Sequence, residues 1–236
     1  MDLVWRGLIE ALRLIAHGDP QLRQIASLSL LVSLSATLLA ALIGVPLGVM
    51  LVALRFRGRM IAQTIVNTGM GLPPVVVGLG ISILLWRTGP FGALALLYTP
   101  AAMVLAQFLV AAPLVTGFTR SALELLNPDI LETLRVDGAA APTTTYELVR
   151  AAQPQVLVAI AAGFGRAIAE VGASLMVGGN ILAHTRILTT AIALETGRGD
   201  FALAIALGIV LLALAFFVNA ALSYLSGVRV WAAWGR

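Results

Sequence analysis

The chain has 236 residues, 60% of them apolar and 11% charged, against about 25% charged in an average soluble domain. That excludes a soluble enzyme and points to an all-α integral membrane protein; the net charge of +4 suits loops facing anionic lipid and does not call for nucleic acid. All fifteen basic residues are arginine and there is no cysteine, which excludes disulfides, thiol catalysis and a phosphate-binding loop, since that loop needs a lysine.

Residues 1–20 come first. Leu3, Leu8, Leu12 and Ile15 fall along one helical stripe with Arg6, Glu10 and Arg13 interleaved. The pattern predicts an amphipathic helix in the membrane interface rather than a sixth span. The first 23 residues lack a continuous apolar core, so no signal peptide is expected.

Residues 21–236 read as one transmembrane domain. Runs without charge at 24–54, 60–86, 88–119 and 201–228, and an apolar stretch interrupted by Arg166 and Glu170, predict spans near 26–54, 61–86, 100–120, 155–179 and 202–226. Each can supply the ~20 residues that cross a ~30 Å hydrocarbon core. In the first span, Gly44, Pro46 and Gly48 predict a kink or the close approach of a neighbour. In the second, Pro73-Pro74 within the glycine-rich segment 69–80 predict a break. That break either frames a gate by exposing backbone to a path or simply lets helices pack closely.

The loop Arg55-Phe56-Arg57-Gly58-Arg59 concentrates three arginines and is expected on the cytoplasmic side. Alternation then places loop 121–154 and the tail with Arg229 and Arg236 on the same side. Trp231 and Trp234 predict an aromatic anchor at the end of the last span.

Segment 128–154 is the long polar stretch of the chain. Asn127-Pro128 supplies a helix cap and a first-turn proline. Asp137-Gly138 ends that helix in a left-handed turn. Thr144 and Glu147 fit a capping box for a second helix.

Arg166 and Glu170, spaced i, i+4, either pair with each other to fix helix packing or line a path in which Arg166 attracts an anion. Asn180, Thr185, Arg186, Thr189 and Thr190 are donors suited to a tetrahedral oxyanion, though such residues are also common at helix ends. His17 and His184 lie too far apart in sequence to suggest a metal site.

The helix–glycine–helix pattern around Glu132 and Gly138 resembles the EAA loop of ABC-importer permeases. GFGRAIAEVGASLMVGGNILAHTRILTTAIA at 163–193 resembles oxyanion permeases, through Glu170, Gly172, Ala173, Met176, Gly179, Asn180 and Ile181. With GMGLPPVVVGL at 69–79, LLYTP at 96–100 and TTAIALETGRGD at 189–200, the chain looks most like the tungstate branch. Molybdate, sulfate or phosphate is the alternative cargo, and an ATP-independent secondary transporter a more distant alternative. One departure is Ala151, where the EAA pattern has a proline; the nearest is Pro154.

The resemblance implies a five-helix type I ABC-importer permease core with an N-terminal interfacial helix and a cytoplasmic coupling-helix loop. It implies a homodimer in a bacterial or archaeal cytoplasmic membrane, two ATP-binding subunits that use ATP and magnesium, and an extracytoplasmic oxyanion-binding protein. The chain itself would hold no catalytic residue, cofactor or metal. Coupling would fall to Glu132, Asp137, Gly138 and Ala139. The path or gate would fall to Arg166, Glu170, Asn180, Thr189, Pro73 and Pro74.

Overall fold

The computed structural model describes residues 2–54 and 56–234. Arg55 and Arg236 lie outside them, as do the side chains of Leu3, Arg135 and residues 225–234, and with these the expected Trp231/Trp234 anchor. The described residues form eleven α-helices and no strand. In order they are α1 Asp2–Ala16, α2 Pro20–Ala53, α3 Arg59–Met70, α4 Pro74–Leu85, α5 Pro100–Glu124 and α6 Pro128–Val136, then α7 Ala141–Ala151, α8 Gln153–Ile168, α9 Gly172–Gly178, α10 Leu188–Arg198 and α11 Phe201–Trp234.

Among the described residues, three helices are long and apolar enough to cross a membrane: α2, α5 and the part of α11 up to Tyr224. Two bent pairs bring the total to five if each counts as one span: α3 with α4, bent by 105°, and α7 with α8, bent by 88°. The first bend lies at the expected Pro73-Pro74 break, where Pro74 starts α4 and cannot donate a backbone hydrogen bond.

Packing follows membrane rather than aqueous rules. Lipid tails are as apolar as leucine, so helices associate where small residues let backbones approach. α2 and α5 make the most extensive pair. A Cβ placed on Gly48 would lie 2.9 Å from the Thr116 carbonyl oxygen, and one on Gly44 3.0 Å from the Thr116 hydroxyl. The helix runs on through Pro46, and the expected close approach of a neighbour is observed at Gly44 and Gly48. α4 crosses α9 in the same manner, with Gly78 against Ala173.

Three boundaries differ from expectation. The span predicted over 155–179 is two helices, because Glu170 folds back to cap α9 instead of continuing α8. α2 starts at Pro20, several residues early, because the Asp19 carboxylate accepts the Leu22 N–H at 2.7 Å. α7 starts at Ala141 with Pro142 in its first turn, so Thr144 sits inside the helix and forms no capping box with Glu147. Pro154 lies in the first turn of α8. The helix after α9, α10, was not anticipated; it ends at Gly199, whose φ is +81°.

In α1 the face packed along α11 is the one bearing Gly7 and Ala11. Leu12 and Ile15 of the expected stripe are exposed, with Val4, Trp5 and Ile9. Gly7 and Ala11 meet the protein, Leu14 packs partly against the core, and Val4, Trp5, Ile9, Leu12 and Ile15 face away from it.

Candidate functional site

The polar segment is a helical hairpin rooted in the hydrophobic core of the protein. The Asn127 side-chain oxygen accepts the Asp129 N–H at 3.0 Å, starting α6. Gly138 has φ +66°, and the Ala139 N–H reaches back to the Leu134 carbonyl at 3.0 Å. That six-to-one bond is the signature of a Schellman turn. Leu148 of α7 and Ala152 are buried with Leu123, Val115 and Val49, and Ile130, Leu131 and Leu134 of α6 pack against the same cluster.

The opposite side of the hairpin is open. Asp129, Glu132, Asp137 and Gly138 are exposed, Ala139 is half-buried and Tyr146 is 64% exposed. Glu132, Asp137, Gly138 and Ala139 therefore gather at and beside one turn, on a unit whose other side is continuous with the helix core.

The second constellation sits at the break between α8 and α9. Arg166 Nη1 lies 3.2 Å from Glu170 Oε2, with 31% and 2% of the two side chains exposed. Glu170 Oε1 accepts the Ala173 N–H at 2.8 Å. The Thr189 hydroxyl donates to the Glu170 carbonyl at 2.9 Å, tying the start of α10 to the break. One carboxylate thus serves an arginine and a helix end together, which suits a charge held in a low dielectric.

The donors after α9 are engaged internally. The Asn180 amide donates to the Thr190 carbonyl at 3.3 Å and accepts from Arg186 Nε at 3.2 Å. The Thr185 hydroxyl accepts the Ile181 N–H and donates to the Gly178 carbonyl. The Thr190 hydroxyl accepts the Ile187 N–H at 3.1 Å. Asn180 itself is left-handed, at φ +51°. In this conformation these groups build a loop around Asn180. Pro73 and Pro74 stand at the α3–α4 corner, apart from that loop in the chain. No group of three or more metal-ligating side chains occurs among the described residues.

The structure adds residues that sequence reasoning missed. Gln107 of α5 is fully buried; its Oε1 accepts from the Ser33 hydroxyl of α2 at 3.0 Å, and its Nε2 donates to the Ser174 oxygen of α9 at 3.2 Å. The Ser29 oxygen accepts the first N–H of α10, that of Leu188, at 2.8 Å. A lone glutamine in a span was the available signal, because an amide in hydrocarbon must find partners.

The model of the family described as "Binding-protein-dependent transport system inner membrane component" matches residues 40–227. A tungstate uptake system permease protein of Peptoclostridium acidaminophilum is 39% identical over 220 residues, covering 93% of this chain and 96% of that one. A probable anion ABC transporter permease protein of Haloferax volcanii is 39% identical, covering 88% and 93%. A tungstate uptake system permease protein of Campylobacter jejuni is 34% identical, covering 93% and 92%. A bacterial ABC transporter solved for its part in importing alginate shares the fold, with a TM-score of 0.66 at 20% identity, covering 88% of this chain and 79% of that one.

Proposed function

This chain belongs to the family of binding-protein-dependent transport system inner membrane components, and on that premise we propose that it is the membrane-spanning subunit of an ATP-driven importer of tungstate-type oxyanions. As a member it is a multi-pass inner-membrane protein. The observation that carries the cargo is the 39% identity to a tungstate uptake permease over nearly the full length of both chains.

In this reading two copies enclose the path and each presents its α6–α7 hairpin to an ATP-binding subunit. A separate binding protein delivers the anion to the outer face. ATP and magnesium belong to the partner. Closure of the ATP-binding dimer presses on the turn at Glu132, Asp137, Gly138 and Ala139, and the hairpin, rooted through Leu148 and Ala152, passes the movement to α5 and α8. The break at Glu170 and the corner at Pro73-Pro74 are where a rigid push becomes a change of path. Arg166, partly exposed beside the break, offers the positive charge. Asn180 and Thr189 serve this path by holding the loop and α10 in register. α1 lies in the interface, with Val4, Trp5, Ile9, Leu12 and Ile15 in lipid and Gly7 against α11.

The test is reconstitution. Vesicles holding this chain with its ATP-binding subunit and binding protein are expected to accumulate tungstate, read by elemental mass spectrometry, only when ATP is inside with the motor. Uptake of molybdate or sulfate in preference to tungstate would overturn the cargo, and uptake without ATP would overturn the class.

A further inference from the structure

The connection between α2 and α3 carries Arg57 and Arg59, which have no counter-ion among the described residues. No acidic residue occurs between Asp19 and Glu124. Neither Arg57 nor Arg59 meets a carboxylate within 4.0 Å among the described residues, whereas five other arginines do. Arg57 is exposed, and the Nε of Arg59 is buried with no hydrogen-bond partner. Gly58, at φ +91°, starts α3 with no side-chain cap, so the positive end of that helix adds to the arginines. Phe56, Met60 and Ile61 surround them and are 38%, 79% and 66% exposed.

Beside this loop is an apolar cavity of about 420 Å³. Val49, Met50 and Leu54 at the end of α2 form one wall, and Leu131, Ala139 and Thr145 of the α6–α7 hairpin the other. Leu54 lines the cavity and Arg57 follows three residues later, so their Cα atoms are at most about 11 Å apart. That separation puts Arg57 in the neighbourhood of the cavity rim.

We propose that this is a binding site for an anionic phospholipid, its phosphate held by Arg57 and Arg59 and one acyl chain lying in the cavity between α2 and the hairpin. The charge selects an anion, and the exposed apolar collar of Phe56, Met60 and Ile61 suits headgroup depth, which favours a lipid phosphate. The cavity wall of Ala139 and Thr145 places the lipid against the α6–α7 hairpin, so inner-leaflet composition would tune the stiffness of that unit. The proposal rests on the membrane reading and is independent of the anion carried, so a change of cargo leaves it standing.

The experiment is native mass spectrometry of the full chain, released from mild detergent carrying equimolar phosphatidylglycerol and phosphatidylcholine. Phosphatidylglycerol adducts are expected to dominate. Arg57→Gln should lower them by about fivefold and Arg57→Gln/Arg59→Gln further, given roughly 1 kcal/mol per arginine at an anionic surface. Arg57→Lys/Arg59→Lys should keep them, and Ala53→Phe, which fills the cavity, should reduce retention with the arginines intact. If the double variant fails to insert, the exposed single Arg57→Gln carries the same reading. Equal retention of the two lipids, unchanged adducts in Arg57→Gln or unchanged retention in Ala53→Phe would each overturn the site. Arginine variants that keep the lipid but lose the ATP-binding subunit would assign the loop to protein docking instead.

Discussion

Gly138→Val tests the hairpin turn. The native φ of +66° is open to glycine at no steric cost, while a β-branched side chain there pays about 2 kcal/mol in the backbone alone. A Cβ built on Gly138 meets nothing within 4 Å, so no clash adds to that figure and the insertion of the helices should be untouched. Two kilocalories correspond to roughly a 30-fold loss in the population of the docking conformation. Affinity for the ATP-binding subunit, measured by titrating it onto the detergent-solubilised chain, should fall by up to that factor. Gly138→Asn should fall little, because asparagine tolerates the left-handed region. Equal affinities for wild type and valine variant, or an asparagine variant as weak as valine, would refute the claim that the conformation of this turn is what the motor reads.

Other expectations concern the membrane core. The chain alone should neither bind nor hydrolyse ATP above background, since it contains no lysine for a phosphate loop; stoichiometric nucleotide binding in a filter assay would contradict this. Glu170→Ala removes a helix cap and leaves Arg166 without its partner, and should cost about 3 kcal/mol in thermal or denaturant titration. Glu170→Gln keeps an acceptor for Ala173 and should cost less; equal loss in both would deny the capping role. Gln107→Leu strands the Ser33 and Ser174 hydroxyls and should cost about 1–3 kcal/mol. Ser33→Ala/Gln107→Leu/Ser174→Ala should recover most of it, and a triple variant weaker than the single would disprove the network.

The spans and the hairpin were legible because they rest on one-dimensional signals. Charge-free runs locate hydrocarbon, and Asn127-Pro128 with Asp137-Gly138 punctuates α6 by local chemistry that needs no tertiary contact. Thr144 and Glu147 misled because a capping box is a pattern of two residues, and Pro142 offered an earlier helix start that the pattern ignores. The break of α8 was hidden for a different reason. Arg166 and Glu170 at i, i+4 are compatible with a continuous helix, and only the approach of Ala173 and Thr189 reveals the carboxylate as a cap. Gln107 was overlooked because its partners lie 74 and 67 residues away.

The internal engagement of Asn180, Thr185 and Thr190 bears on how such a chain handles an anion. A fixed ring of hydroxyls and amides would bind a dianion tightly and release it slowly, which conflicts with conduction. On the proposed path, donors already satisfied by the protein would leave no deep well, and selection would fall to the protein that delivers the anion. Arg166 fits the same logic. Its charge is partly balanced by Glu170 at 3.2 Å, so on the proposed path it would lower the barrier for a passing anion without offering an unpaired cation to trap it. Removing Glu170 should therefore do more than loosen the fold. It should expose a cation at depth, and a stable Glu170→Gln importer is expected to show a lower KM for the anion with slower turnover. Unchanged KM and turnover in vesicles would mean that Arg166 stands off the path and that the pair is purely architectural.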